Sequence, residues 1–129
     1  MAIELQMLAW AGVLGLAQVM LAAAAITRER GTHWNASARD GQAPPPGLLA
    51  GRLQRAQANF LETFAVFAAA AIAVVVAGRQ DSSTALAVQL YFWARLAYVP
   101  LYAAGIPYVR SLAWLVSLAG ILMLLWALL

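Results

Sequence analysis

Two clusters of polar residues interrupt long apolar stretches of this chain, and each is spaced as one face of a helix. The first is Gly51-Arg52-Leu53-Gln54-Arg55-Ala56-Gln57-Ala58-Asn59-Phe60-Leu61-Glu62-Thr63. At about 100° per residue, Arg52, Arg55, Asn59 and Glu62 fall within about 80° of one another. Gln57 points roughly 140° or more from that stripe, toward another helix or another subunit. The second cluster is Tyr91, Arg95, Tyr98 and Tyr102, at intervals of four, three and four residues. It covers about 60° of arc. Arg110 and Ser111 follow beyond Pro107.

Together these residues describe a mostly basic pocket with tyrosine hydroxyls and one acid. Its composition suits a small anionic molecule that also carries an ammonium. Arginine forks take carboxylates in bidentate fashion, leaving Glu62 for the ammonium and Asn59 for a peptide group. Arg95 lies mid-helix, where a cation needs a partner, and Glu62 is the acid at matching depth. The two are expected close together, directly or through a ligand. The chain has no cysteine, so a substrate must bring any thiol. A guanidinium beside a bound thiol lowers its pKa and stabilises the thiolate.

Plainer readings stand beside these. Buried Arg–Glu pairs also simply register helices, and arginines at a membrane rim simply reach for water. Tyr91 fits an aromatic packing residue. His33 reads as a loop histidine, because one histidine without a Cys/Asp/Glu cluster is no metal site. No Ser-His-Asp arrangement, phosphate-binding loop or glycine-rich dinucleotide motif is present.

The elements that must position these residues follow from composition. Of 129 residues, 64% are hydrophobic and 10% charged, with a mean hydropathy of +0.78. Soluble domains carry about a quarter charged residues, so the chain falls in the membrane class. Its apolar content excludes disorder, and zero cysteines exclude a disulfide framework. A net charge of +3, carried by eight arginines and no lysine, is too small and scattered for a nucleic-acid reader.

Four apolar segments cover about residues 3–26, 53–77, 84–104 and 111–129. Each is long enough to cross ~30 Å of hydrocarbon at about 1.5 Å per residue. Only helices and closed barrels satisfy their backbone in lipid, and these segments are too long and too rich in Ala and Leu for barrel strands. The expectation is an all-α membrane protein: one four-transmembrane-helix bundle over residues 1–129, with a loop at about 27–51. The first segment is too long for a cleaved signal peptide and no basic region precedes it. Asp81 or a neighbouring serine fits the cap of the third helix. Trp114 and Trp126 fit interfacial anchors of the fourth. Gly12 and Gly15 would let the first pack closely. With four spans, Arg28, Arg30, Arg39, Arg52, Arg55 and Arg110 share one side and only Arg79 takes the other. The positive-inside rule then puts the large loop in the cytoplasm and both termini opposite.

Arg55-Ala56-Gln57-Ala58-Asn59-Phe60-Leu61-Glu62 resembles the R-x-x-x-N-x-x-E signature on the second helix of the MAPEG family, the membrane-associated proteins in eicosanoid and glutathione metabolism. The set Arg95, Tyr98 and Tyr102, followed by Arg110-Ser111, is similar to that family's third-helix pattern. Four helices with an Arg-rich first loop also fit, so the resemblance covers essentially the whole chain. The long Pro-rich loop with Ala38-Arg39-Asp40-Gly41 resembles a bacterial branch, which implies a bacterial inner membrane. The resemblance implies a homotrimer with glutathione sites at subunit interfaces near the cytoplasmic side. It implies that Arg55, Asn59, Glu62, Tyr98 and Tyr102 hold glutathione, with Gln57 and either Arg28 or Arg30 reaching in from the adjacent subunit. Arg52 and Arg95 complete the candidate binding set. Arg110 would stabilise the thiolate, with Tyr102 or Ser111 donating a hydrogen bond. The implied activity is a glutathione-dependent transferase or peroxidase, with glutathione as co-substrate and a lipophilic electrophile or lipid hydroperoxide from the bilayer as partner. The alternative is a non-catalytic membrane protein, lipid-binding or an accessory subunit, whose charges are structural pairs or head-group contacts. A small transporter fits less well, because the charges gather toward one side.

Overall fold

The computed structural model describes residues 1–129 and is helical throughout, with no strand. Five helices run in order: α1 Ile3–Arg30, α2 Thr32–Ala36, α3 Leu48–Val76, α4 Ser82–Ala103 and α5 Pro107–Leu128. Three of them, α1, α3 and α5, are long and apolar enough to cross a membrane. The remaining long helix, α4, has 22 residues and carries Gln89, Arg95 and three tyrosines, which dilute its hydropathy.

The long helices run past the apolar segments expected from sequence. α1 continues to Arg30 and stops where Gly31 takes a positive φ of 91°. α3 starts at Leu48, directly after Pro44-Pro45-Pro46-Gly47. Proline lacks the amide proton that a helix interior needs, so the helix begins once the prolines are past. The loop expected at 27–51 is therefore confined to residues 31–47, which include the five-residue α2. Its ends are tied: the Gly47 amide donates to Glu29 Oε1 at 2.7 Å, and Arg30 Nη2 donates to the Pro44 carbonyl at 2.6 Å.

α4 opens with the cap read from sequence. The Thr84 amide donates to Asp81 Oδ1 at 2.8 Å, and the Asp81 amide donates to Thr84 Oγ1 at 2.9 Å. This reciprocal pair satisfies two orphan donors of the first turn. The Thr84 hydroxyl also donates to Glu4 Oε1 at 2.7 Å, joining the starts of α1 and α4. Around the bundle the order is α1, α3, α5, α4; α3 also touches α4 across the diagonal, while α1 and α5 do not meet. Met7, Leu14, Phe67, Val74, Val88 and Leu124 belong to the core they enclose.

Close backbone approach sets the tightest contacts. A Cβ at Gly120 on α5 would lie 2.6 Å from the Ala87 carbonyl oxygen and 3.1 Å from the Tyr91 amide nitrogen of α4. Small residues at such crossings let helices pack where lipid offers no hydrophobic drive. Gly15 serves α1 similarly, with the Phe60 ring 2.8 Å from a Cβ placed there, whereas nothing lies within 4 Å of one at Gly12. Gly120→Ala is therefore expected to destabilise the subunit by about 1–3 kcal/mol, the usual cost of overpacking. Gly12→Ala is expected to be neutral or slightly stabilising. Thermal unfolding of both variants in detergent, followed by helix content, checks the contrast.

Candidate functional site

The polar stripes meet along the antiparallel seam of α3 and α4. Thr63 Oγ1 lies 3.4 Å from Tyr91 Oη, deepest in the bundle. One turn nearer the Arg-rich end, Arg95 Nη1 donates to Asn59 Oδ1 at 2.9 Å. Next, Arg55 Nε donates to Tyr102 Oη at 3.1 Å. Last, Arg52 Nη1 donates to the Ala103 carbonyl at 3.2 Å. Successive bonds step three or four residues along α3, so one face of that helix supplies every rung.

Arg95 is the central group. It is 1% exposed, yet its Nε and Nη2 have no hydrogen-bond partner. Its Cζ lies 4.3 Å from the Tyr98 ring centroid and 5.6 Å from that of Phe60. These aromatic faces stabilise the cation without taking its protons. Asn59 occupies one terminal nitrogen and leaves the Nε–Nη2 edge, the fork that matches a carboxylate.

A second cationic point lies toward the end of the seam. Arg55 and Arg110 place their Cζ atoms 5.8 Å and 4.8 Å from the Tyr102 ring centroid. The Tyr98 and Tyr102 rings are 5.6 Å apart, so aromatic surface runs continuously from Arg95 to the Arg55–Arg110 pair. The Tyr102 oxygen accepts from Arg55, which leaves its own proton free to donate. Gly105, at a φ of 74°, lets Arg52 fold over the end of α4; a Cβ there would lie 2.7 Å from Arg52 Nη2.

The remaining candidates are placed as follows. Glu62 is exposed on the subunit surface and forms no direct bond to Arg95, whose one side-chain hydrogen bond goes to Asn59. The direct form of the expected Glu62–Arg95 pairing is thus replaced by Asn59–Arg95. Gln57 is half-buried without a hydrogen bond, on a side of α3 away from the seam. Ser111 is exposed and donates to the Pro107 carbonyl at 3.1 Å. Arg30 is occupied by Pro44 and by Trp34, whose ring centroid is 4.7 Å away. Arg28 is exposed at the other face of α1 and takes no part in the seam. Tyr91 is a packing residue, stacked on Phe67 at 3.8 Å between centroids. His33 is exposed on α2, and no group of His, Cys, Asp or Glu is placed to hold a metal.

Two buried polar residues of α1 have no counterpart in the sequence reading. Glu4 is 2% exposed and bonded to Thr84. Gln18 on α1 is 3% exposed, with both amide atoms unpaired. Neither belongs to a polar stripe on the largely apolar α1, so periodicity gave nothing to mark them.

A family model described as the MAPEG family matches residues 7–129. No curated protein matches the chain.

Replacing Asn59 tests the seam itself. Asn59→Leu removes the only side-chain acceptor of a buried cation, and about 1–3 kcal/mol of stability is expected to go with it. Asn59→Asp puts a carboxylate against the same guanidinium and is expected to retain the fold. Thermal unfolding of the two variants side by side reads the difference.

Proposed function

The chain belongs to the MAPEG family, and on that premise we propose that it is a membrane enzyme that binds glutathione at the α3–α4 seam and activates its thiol. The observation that carries this reading is the uncompensated positive charge there. Arg95 is buried with its carboxylate-matching edge unpaired, and Arg55 and Arg110 converge on one phenol. Cations at membrane depth call for an anion or an aqueous cavity. Glutathione carries two carboxylates for the arginines and an ammonium for Glu62. Asn59 and Tyr98 complete the grip on the peptide, and Arg52 holds the end of α4 in place.

The chemistry follows from electrostatics. Arg110, with Arg55 behind it, favours the ionised sulfur by attraction in a site of low dielectric. Tyr102 donates its free proton to that sulfur; the Ser111 proton is committed to Pro107. In a transferase reaction the thiolate attacks an electrophilic carbon, a C–S bond forms, and the leaving group departs with its electron pair. In a peroxidase reaction the thiolate attacks the terminal peroxide oxygen and the O–O bond breaks, releasing the lipid alcohol. The resulting sulfenic acid condenses with a second glutathione, giving the disulfide and water. Lipophilic partners arrive through the bilayer.

In this reading α1, α3, α4 and α5 all span the membrane, the Arg-rich end faces the cytoplasm, and the protein is a homotrimer. The exposed Glu62 and the half-buried Gln57, neither hydrogen-bonded within the subunit, support a wall supplied by a neighbour.

Titration calorimetry on detergent-solubilised protein is expected to show glutathione binding. Arg55→Ala and Glu62→Ala are expected to weaken it by about 10- to 100-fold, the worth of a charge-assisted bond. In a chromogenic electrophile assay, Arg110→Ala is expected to lower kcat by a similar factor. No binding heat at millimolar glutathione would remove this reading and return the charges to a non-catalytic role. Activity unchanged in Arg110→Ala would remove the thiolate-stabilising role of that residue.

A further inference from the structure

Only four buried side-chain nitrogen or oxygen atoms of the subunit lack a hydrogen-bond partner. They belong to two residues: Nε and Nη2 of Arg95 on α4, and Oε1 and Nε2 of Gln18 on α1. A buried amide and a buried guanidinium edge are both costly to leave unpaired. The two costs fall in one place.

Three contacts put them there. The Glu4–Thr84 bond sets the starts of α1 and α4 level. Both helices then run the same way, since Met7 and Trp10 share a groove with Phe92 and Leu96. Gln18 lies as many residues beyond Glu4 as Tyr98 lies beyond Thr84, so Gln18 comes level with Tyr98, one turn from Arg95. Next, Gly15, one turn before Gln18 on the same face of α1, lies against the Phe60 ring. Finally, Arg95 Cζ is 5.6 Å from the centroid of that ring and 4.3 Å from that of Tyr98. Gln18 stands in the buried line of α1 between Leu14 and Ala22, so its side chain points into the bundle toward the α3–α4 seam. The acids of α1 and α3 are engaged or turned elsewhere: Glu4 bonds Thr84, Glu29 bonds the Gly47 amide, and Glu62 is exposed on the surface.

We infer that Gln18 is a further binding residue of the seam and meets the same carboxylate as Arg95. The inference rests on the glutathione reading and names one contact within it. The Arg95 edge offers a proton from each of two nitrogens, and the Gln18 Nε2 offers more. The group that satisfies them brings negative charge and two acceptor oxygens. Arg95 takes the carboxylate through Nε and Nη2, and Gln18 Nε2 donates to it from the α1 side. Gln18 Oε1 accepts from the Tyr98 hydroxyl level with it, which fixes the amide's orientation and leaves the phenol oxygen to the peptide. Held from α4 and α1 together, the carboxylate is fixed in direction as well as place. A ligand without it leaves two buried donors unpaired.

Titration calorimetry with glutathione and its two monoethyl esters, one blocked at the glutamyl and one at the glycyl carboxylate, tests the contact. Gln18→Met keeps the length of the side chain and removes both polar atoms. It is expected to weaken glutathione binding about tenfold, the worth of one charge-assisted hydrogen bond. The same loss is expected for one monoester and none for the other, which lacks the carboxylate concerned. Gln18→Glu sets a carboxylate against the Arg95 edge and is expected to weaken binding by more than about a hundredfold. Thermal unfolding of ligand-free Gln18→Met is expected to match or exceed the wild type, because an unpaired amide gives way to an apolar side chain. No glutathione binding by the wild type removes the glutathione reading and this contact with it. Wild-type binding with Gln18→Met unchanged, or weakened equally for all three ligands, overturns the contact and leaves that reading standing. So does a Gln18→Glu variant that binds like the wild type. A large fall in the stability of Gln18→Met, marking an amide already satisfied in the free protein, overturns the contact as well.

Discussion

Burying a guanidinium among apolar helices costs several kcal/mol unless its charge and protons are met. Arg95 imposes that cost at the centre of α4, and the helices around it are arranged to reduce it. Asn59 on α3 accepts one proton, and the rings of Tyr98 and Phe60 face the charge. Phe60 in turn packs against Gly15 of α1, where any larger residue would push it away. The cation thereby recruits α1, α3 and α4 around one point. The rungs above and below it, Thr63–Tyr91 and Arg55–Tyr102, hold the same antiparallel register.

The far end is built on a different principle. There the buried acid Glu4 meets the first turn of α4 through Thr84, inside the Asp81 cap. A carboxylate suits that place because the unpaired amides of a helix start carry partial positive charge. The molecule thus joins α1 to α4 by an acid at one end and α3 to α4 by bases at the other. Between them Gly120 brings the backbones of α4 and α5 into contact. Polar bonds at the ends and steric fit in the middle fix the register without a large hydrophobic drive, which lipid does not supply between helices.

Much of the seam was legible in the sequence, because period alone places side chains on a face. Arg52, Arg55 and Asn59 share an arc of α3, while Arg95, Tyr98 and Tyr102 share an arc of α4, and those arcs do meet. Period does not fix the axial offset between two helices, and that offset chose the partner of Arg95. Stepping from Thr63–Tyr91 to Asn59–Arg95, Glu62 comes level with Phe92, about 4.5 Å deeper than Asn59 by helix rise. Glu62 is therefore offset along α3 from Asn59 and opens onto the subunit surface, without a direct bond to Arg95. Gln18 and Glu4 were illegible for the complementary reason: α1 is apolar on all sides, so its buried face has no sequence signature. Helix ends drifted because apolar runs mark lipid contact, whereas α1 and α3 continue until Gly31 and the proline run stop them. The cap at Asp81 was legible because its chemistry is local.

Glu62 then becomes the most demanding surface residue of the subunit. It lies on α3, one of the helices apolar enough to span a membrane, and it is exposed on the subunit surface. A carboxylate there cannot face hydrocarbon without a cost of several kcal/mol. It needs water, a cationic group or a neighbouring protein surface. Arg95 is in the converse position: its unpaired edge needs an acceptor. The amphoteric ligand proposed above, in a cleft walled by a second subunit, would meet both demands at once: an ammonium for the acid and a carboxylate for the base. A purely structural role would have to satisfy each separately, and the α3–α4 seam has already spent its one amide on half of that task.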